Sequence, residues 1–108
     1  MAASLMTPAQ GQLPNSKGTL YTVPGGTRTL LLRGTLVNTD SSDHTINIYL
    51  KSSAGTSKRI TAVGLTIPAG QMYKVAIGGH ELDAGGLLEG DADAATQVDY
   101  YFSGVEFS

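Results

Sequence analysis

The sequence predicts an all-β fold, an antiparallel β-sandwich or jelly-roll-like barrel, and three observations carry that prediction. Short apolar runs recur at roughly 8- to 12-residue spacing, separated by clusters of Gly, Pro, Asn and Asp. Within the best of these runs apolar and polar residues alternate with the period of two that a half-buried strand requires. No stretch shows an amphipathic helical pattern of useful length. With 108 residues the chain supports one core, and a globule of this size hides about 65% of the surface its unfolded chain exposes. Aromatic residues supply only 6% of the chain, so that core is built mainly from Leu, Ile, Val and Ala. Fourteen Gly and no Cys leave neither disulfides nor thiolate zinc sites to support it, which points to packing and assembly into an oligomer.

Residues 1 to 18 contain Pro8, Gly11, Pro14 and Gly18, with Leu5, Met6 and Leu13 at no fixed period. This composition predicts an extended N-terminal arm ahead of a sandwich domain over residues 19 to 108. Such an arm is either a disordered terminus or a segment lying across a neighbouring subunit, its isolated apolar residues dropping into pockets. From Thr19 to Val23 the chain turns β-rich and stops at Pro24-Gly25-Gly26, where proline and glycine as the two central residues suit a type II turn. Thr27 to Asn38 is the next strand. Leu30, Leu31 and Leu32 place leucine on both faces near its start, which predicts two-sided burial there, and Gly34 marks a bulge or a close backbone approach.

Asn38 to Asp43 has the composition of a turn. It leads into the cleanest strand, His44 to Lys51, with Ile46, Ile48 and Leu50 on one face and Thr45, Asn47, Tyr49 and Lys51 on the other. Ser52 to Ser57 reads as a loop, Arg59 to Ile67 as a strand, Pro68-Ala69-Gly70 as a second turn and Met72 to Ile77 as a further alternating run. Gly78 to Ala95 is broken by glycine pairs, leaving Leu82, Leu87 and Leu88 as its buried contacts. Gln97 to Phe107 closes the domain, Val98, Tyr100 and Phe102 opposing Asp99, Tyr101 and Ser103. The corners Thr22-Val23-Pro24-Gly25-Gly26 and Thr66-Ile67-Pro68-Ala69-Gly70 echo one another, through duplication or through shared turn chemistry.

Charge narrows the partners. Seven basic and nine acidic side chains give a net charge of −2, not the broad positive field that a phosphate backbone demands, so nucleic acid is not expected as a partner. The first residues lack a basic region followed by an apolar one, and no segment approaches the roughly 18 apolar residues of a membrane span, so a soluble protein without membrane association is expected.

Chemistry leaves little trace. The two histidines are far apart: His44 opens a strand beside Asp43, and His80 lies in Gly79-His80-Glu81, each reading as a solvated histidine at a strand edge. Nucleophile-elbow, zinc-protease and phosphate-loop patterns do not occur, and neither an enzyme nor a cofactor is expected. Glu89-Gly90-Asp91-Ala92-Asp93 spaces oxygen ligands as a calcium loop does but lacks the remaining ligands, so a solvated turn between strands is the simpler reading. Sugar binding has no Trp to lean on. Arg28, Arg33, Lys51, Lys58 and Arg59 form a basic strip suited to an acidic protein surface if their strands are neighbours, and otherwise are edge-strand charges that discourage sheet pairing.

Several short segments carry a resemblance. Leu20-Tyr21-Thr22-Val23-Pro24-Gly25-Gly26-Thr27, the turn Asn38-Thr39-Asp40-Ser41-Ser42 and the strand Thr45 to Leu50 are followed by Leu87-Leu88-Glu89-Gly90-Asp91 and by Val98 to Glu106. Together they resemble small virion-associated β-sandwich proteins of tailed bacteriophages, over most of residues 19 to 108. Gly26 after Gly25 departs from the single glycine common there, and the arm matches no pattern of that family. The resemblance implies a virion structural protein, either a capsid decoration (cement) protein bound to the major capsid protein as a homo-oligomer, or a tail, baseplate or fibre component acting as adaptor or host-binding module. The short chain and its arm favour decoration. On residue type, Leu5, Met6 and Leu13 are the expected apolar contacts, with Arg28, Arg33 and Arg59 as their polar rim.

Overall fold

The computed structural model describes residues 2 to 108, which form eleven strands in two antiparallel sheets, with no helix among the described residues. The six-stranded sheet contains β1 (Ala3–Leu5), β2 (Ala9–Gln12), β4 (Arg28–Asn38), β8 (Met72–Lys74), β9 (His80–Leu82) and β11 (Val98–Phe107). The five-stranded sheet contains β3 (Gly18–Thr22), β5 (His44–Lys51), β6 (Lys58–Arg59), β7 (Thr66–Ile67) and β10 (Leu87–Ala92). Long β4 and β11 pair side by side, and each outer edge is shared by two short strands: β1 and β2 on β11, β8 and β9 on β4. In the other sheet the order is β3, β10, β5, then β6 and β7 together. Counting each shared edge as one position, the chain fills eight positions and changes sheet at every connection except β5 to β6, which is the jelly-roll order.

The alternation of the strands puts Leu31, Leu36, Ile46, Ile48, Leu88, Val98 and Phe102 between the sheets, all with no exposed surface. Phe102 is the one aromatic side chain fully buried there, in keeping with a core made of aliphatic residues. It lies across Gly34, where a Cβ would collide with the ring, so the close approach expected at that glycine is real. Both Pro-Gly corners are the same turn. Thr27 N–H donates to Pro24 O and Gln71 N–H to Pro68 O, with Gly26 and Gly70 at φ of 72° and 70°. Proline therefore opens each turn rather than occupying its centre, and glycine takes the left-handed position that an L side chain resists.

Four sequence expectations need revision. The expected arm is not free over its described residues 2 to 18, Met1 lying outside them: β1 and β2 hydrogen-bond to β11 of the same chain, while Met6, Ala9 and Leu13 enter its core. Its irregular spacing arises because the segment is two very short strands, Pro8 lying between them and Pro14 after the second, which hides their period. Next, the triple leucine of β4 is not buried on both sides. Ser103 pairs with Arg33 and Gly104 with Leu31, which leaves Leu32 as an extra, unpaired residue. This bulge switches the inward set from Thr29 and Leu31 to Gly34, Leu36 and Asn38. Thirdly, the strand expected over 59 to 67 is two short pieces: Lys58–Arg59 and Thr66–Ile67 form ladders with β5, and the residues between them touch it only through single hydrogen bonds of Ile60, Thr61 and Leu65. Lastly, Glu89 to Ala92 is not a turn but most of β10, paired with β5 throughout and with β3 at Glu89 and Gly90.

Candidate interaction surface on the six-stranded sheet

Register fixes what the outer face of the six-stranded sheet presents. Outward residues line up across strands as Gln12–Asp99–Val37–Met72, then Gln10–Tyr101–Thr35–Lys74, then Ser103–Arg33. Beyond the bulge the rows continue as Leu5–Val105–Leu30–Glu81. At the bulge, successive residues Leu32 and Arg33 are both exposed, so one apolar and one cationic side chain project from adjoining positions. Bulges commonly re-aim side chains beside functional sites.

Leu5 is 84% exposed, Leu32 45% and Tyr101 47%, and these three line one shallow groove of about 640 Å³ together with Thr7, Pro8 and Arg33. A second groove of about 440 Å³ lies between Arg33, Thr35 and Lys74. A third, of about 560 Å³, continues over Gln10, Gln12, Val37 and Asp99 on the far side of Tyr101. Side chains shared between neighbouring grooves make one continuous track along β4 and β11. Large apolar side chains left in contact with water on a sheet face mark an interaction surface more readily than the same residues scattered singly.

Of the residues singled out in the sequence, this track gathers Leu5 and Arg33, with Met6 at its floor. Met6 and Leu13 are 3% and 0% exposed, because they complete the core under Phe102's sheet. Arg28 lies on the same sheet but at the opposite end of β4, 3.5 Å from Glu81. Arg59 belongs to the other sheet, where its Nε donates to Thr61 O. The basic strip does not form, since Arg28 and Arg33 are on β4 while Lys51, Lys58 and Arg59 are on β5 and β6. Leu32, Tyr101 and Lys74 escaped sequence reasoning. The signal for Leu32 was present: Thr29 and Leu31 fit one face and Leu36 and Asn38 the other parity, and only an inserted residue reconciles them.

Elsewhere the polar groups serve the fold. His44 is mostly buried, not solvated at an edge: Nδ1 lies 2.7 Å from Asp93 Oδ1 and Nε2 2.7 Å from Asp40 Oδ2. Ionised carboxylates only accept, so both ring nitrogens must donate and the ring is an imidazolium. The bond to Asp40, then that to Asp93, pushes the His44 pKa up, while the same His44 contact draws Asp40 down. The cation thereby ties the β4–β5 turn to the β10–β11 turn, which Thr39 also joins through Gln97 O. His80 is exposed, its Nδ1 2.8 Å from Ile77 O.

The three acidic groups of residues 89 to 93 point to different partners. Glu89 accepts from Ser57, Asp91 from Asn47 and Tyr49, and Asp93 meets His44. Among the described residues no group of three or more His, Cys, Asp or Glu is placed to hold a metal ion. At another sandwich edge Tyr21 of β3 reaches Thr29 of β4 and donates to Glu106 of β11, joining the two sheets. Burial, followed by that carboxylate bond, pushes the phenol up to about 12, so it stays a donor at any ordinary pH.

No protein-family model matches the chain, and no curated protein does. A solved structure does: a chain in the structure of infectious bursal disease virus Gx strain superposes with a TM-score of 0.52. The match covers 97% of this chain and 32% of the viral chain, at 12% identity. The likeness is one of fold, and this chain spans about a third of its viral counterpart.

Proposed function

We propose that this protein is a structural component of a virus particle, a capsid decoration (cement) protein of a phage head that binds through the outer face of its six-stranded sheet. The observation that carries the reading is the exposed cluster of Leu5, Leu32 and Tyr101 with Arg33, in which the β4 bulge turns Leu32 outward beside Arg33. The jelly-roll order and the fold likeness to a chain of a virus structure support a place in a particle. The resemblance of its turn motifs to virion-associated sandwiches of tailed phages supports a phage particle, and the short chain favours the head over the tail.

A cement protein works by adhesion rather than by bond chemistry. Because it binds only the assembled shell, each bound copy adds its binding free energy to that state, and the shell resists expansion and rupture by linkage. Modest contacts repeated around symmetry axes, with the chain itself a homo-oligomer, add through avidity. The competing position is a tail, baseplate or fibre component. Quantitative mass spectrometry of purified particles tests the reading: a copy number in the hundreds per particle is expected for the shell. A handful of copies assigns the chain to the tail, and its absence from particles overturns the function.

A further inference from the structure

The outer-face track also defines the chemistry of its occupant, on the premise that this face is the binding surface proposed above. Leu5, Leu32, Tyr101 and Pro8 form its apolar end. Arg33 and Lys74, both exposed, line its middle, and neither joins an ion pair among the described residues. The one acidic side chain of the track, Asp99, lies at its far end and accepts from Gln12. The track is thus cationic where it is open, although the chain as a whole carries a net charge of −2. Two copies meeting through this same face would set Arg33 and Lys74 against their own counterparts, so a symmetric self-contact is the poorer electrostatic match and a carboxylate-bearing partner the better one.

Geometry sets the partner's conformation. Outward rows on a sheet repeat every second residue, about 6.7 Å, and an extended peptide directs alternate side chains downward at the same repeat. From Leu32 to Val37 the track offers roughly 17 Å, room for about five extended residues. We infer that the face receives an extended acidic segment of a partner virion protein, seating an apolar side chain among Leu5, Leu32 and Tyr101 and a carboxylate, two residues along, between Arg33 and Lys74.

The test uses the full chain and particles purified without it. Wild-type protein and the R33E/K74E double variant are added to such particles, bound protein is quantified at low and high salt, and circular-dichroism melting checks that the variant folds. The expected result is loading of wild type that weakens with salt, at least a tenfold lower loading of the variant, and unchanged melting. Carbodiimide coupling on loaded particles should join Lys74 to an Asp or Glu of a shell protein. Equal loading of a folded variant, or coupling of Lys74 only to another copy of this chain, overturns the inference while leaving the proposed function standing. Failure of wild type to load overturns the function and the inference with it. Should the double variant fail to fold, R33Q/K74Q takes its place under the same criteria.

Discussion

On the outer face of the five-stranded sheet, polar groups answer one another: Asn47 and Tyr49 donate to Asp91, Ser57 to Glu89, and Lys17 lies 5.1 Å over the Tyr49 ring. On the outer face of the six-stranded sheet, Leu5, Leu32 and Tyr101 meet water, and Arg33 and Lys74 have no anionic partner among the described residues. Both faces belong to antiparallel sheets of one small sandwich, so the contrast is not a property of the fold. It arises from what covers each sheet. The loop after β5 folds back over β10 and leaves Glu89 only 8% exposed, whereas a bulge in β4 turns side chains outward on the other sheet. Both sheets carry cations outside any ion pair among the described residues, Lys51, Lys58 and Arg59 on one and Arg33 and Lys74 on the other. What separates the faces is that the first satisfies its acids internally while the second leaves a cluster of large apolar side chains beside its cations.

The largest test concerns the edge that carries Leu5. If β1 and β2 are part of the sandwich, Leu13→Ala leaves a cavity and costs roughly 2–5 kcal/mol, read as a lower midpoint in urea. Removing residues 1 to 17 should expose the core beneath Phe102 and abolish cooperative melting. A truncated chain that melts like the whole would return the segment to the status of an arm.

The second test strikes the quiet face. Ser57→Ala leaves the buried Glu89 carboxylate without its donor, at a cost of about 1–3 kcal/mol in the same denaturation assay. Unaltered stability would show that this face is not held by its own hydrogen bonds.

A third, smaller effect is a pH dependence. The folded-state pKa of His44 is raised, so its contribution is complete below the ordinary value of 6.5 and is lost as pH rises through the folded value. Asp40 is lowered, so its contribution is present above the ordinary 3.8 and is lost as pH falls through its folded value. The clamp is therefore strongest in mildly acidic solution, between about 4 and 6.5, and His44→Gln should flatten melting temperature against pH across the alkaline limb. A variant retaining the wild-type slope would remove His44 from the account.

The smallest stability effect is expected where the binding effect is greatest. Leu32→Ser should change stability by no more than about 0.5 kcal/mol, as an exposed site does, yet lower particle loading. A Leu32→Ser protein that loads as wild type does would erase the distinction between the two faces.

The alternation of Ile46, Ile48 and Leu50 made β5 legible from its sequence, and the Gly-Pro corners placed the turns within a residue, because local sterics decide both. What was hidden depends on contacts far apart in sequence. Met6 and Leu13 look like isolated apolar residues until β11 supplies the strand they join. Glu89 to Asp93 look like a turn because Gly90 and three acids are poor strand formers, yet β5 pairs with Glu89 to Ala92 and β3 with Glu89 and Gly90, which overrides that preference. His44 looked solvated because Asp93, its second partner, is 49 residues away. Of the candidate surface, Leu5 and Arg33 could be named from residue type. Lys74 and Tyr101 could not, since only register sets them in one row with Thr35.

Ala3 to Leu5 find their hydrogen-bond partners in Val105 to Phe107, about a hundred residues later, and Ala9 to Gln12 in the first half of the same strand. During synthesis the opening strands must wait, unpaired and carrying Met6 and Leu13 in the open, until β11 has been made. Contacts of such long range slow folding. While they are pending, β11 of a neighbouring molecule is an equally good mate. At high concentration, newly made chains therefore run a standing risk of exchanging their first strands, and rapid dilution during refolding should favour self-contained monomers.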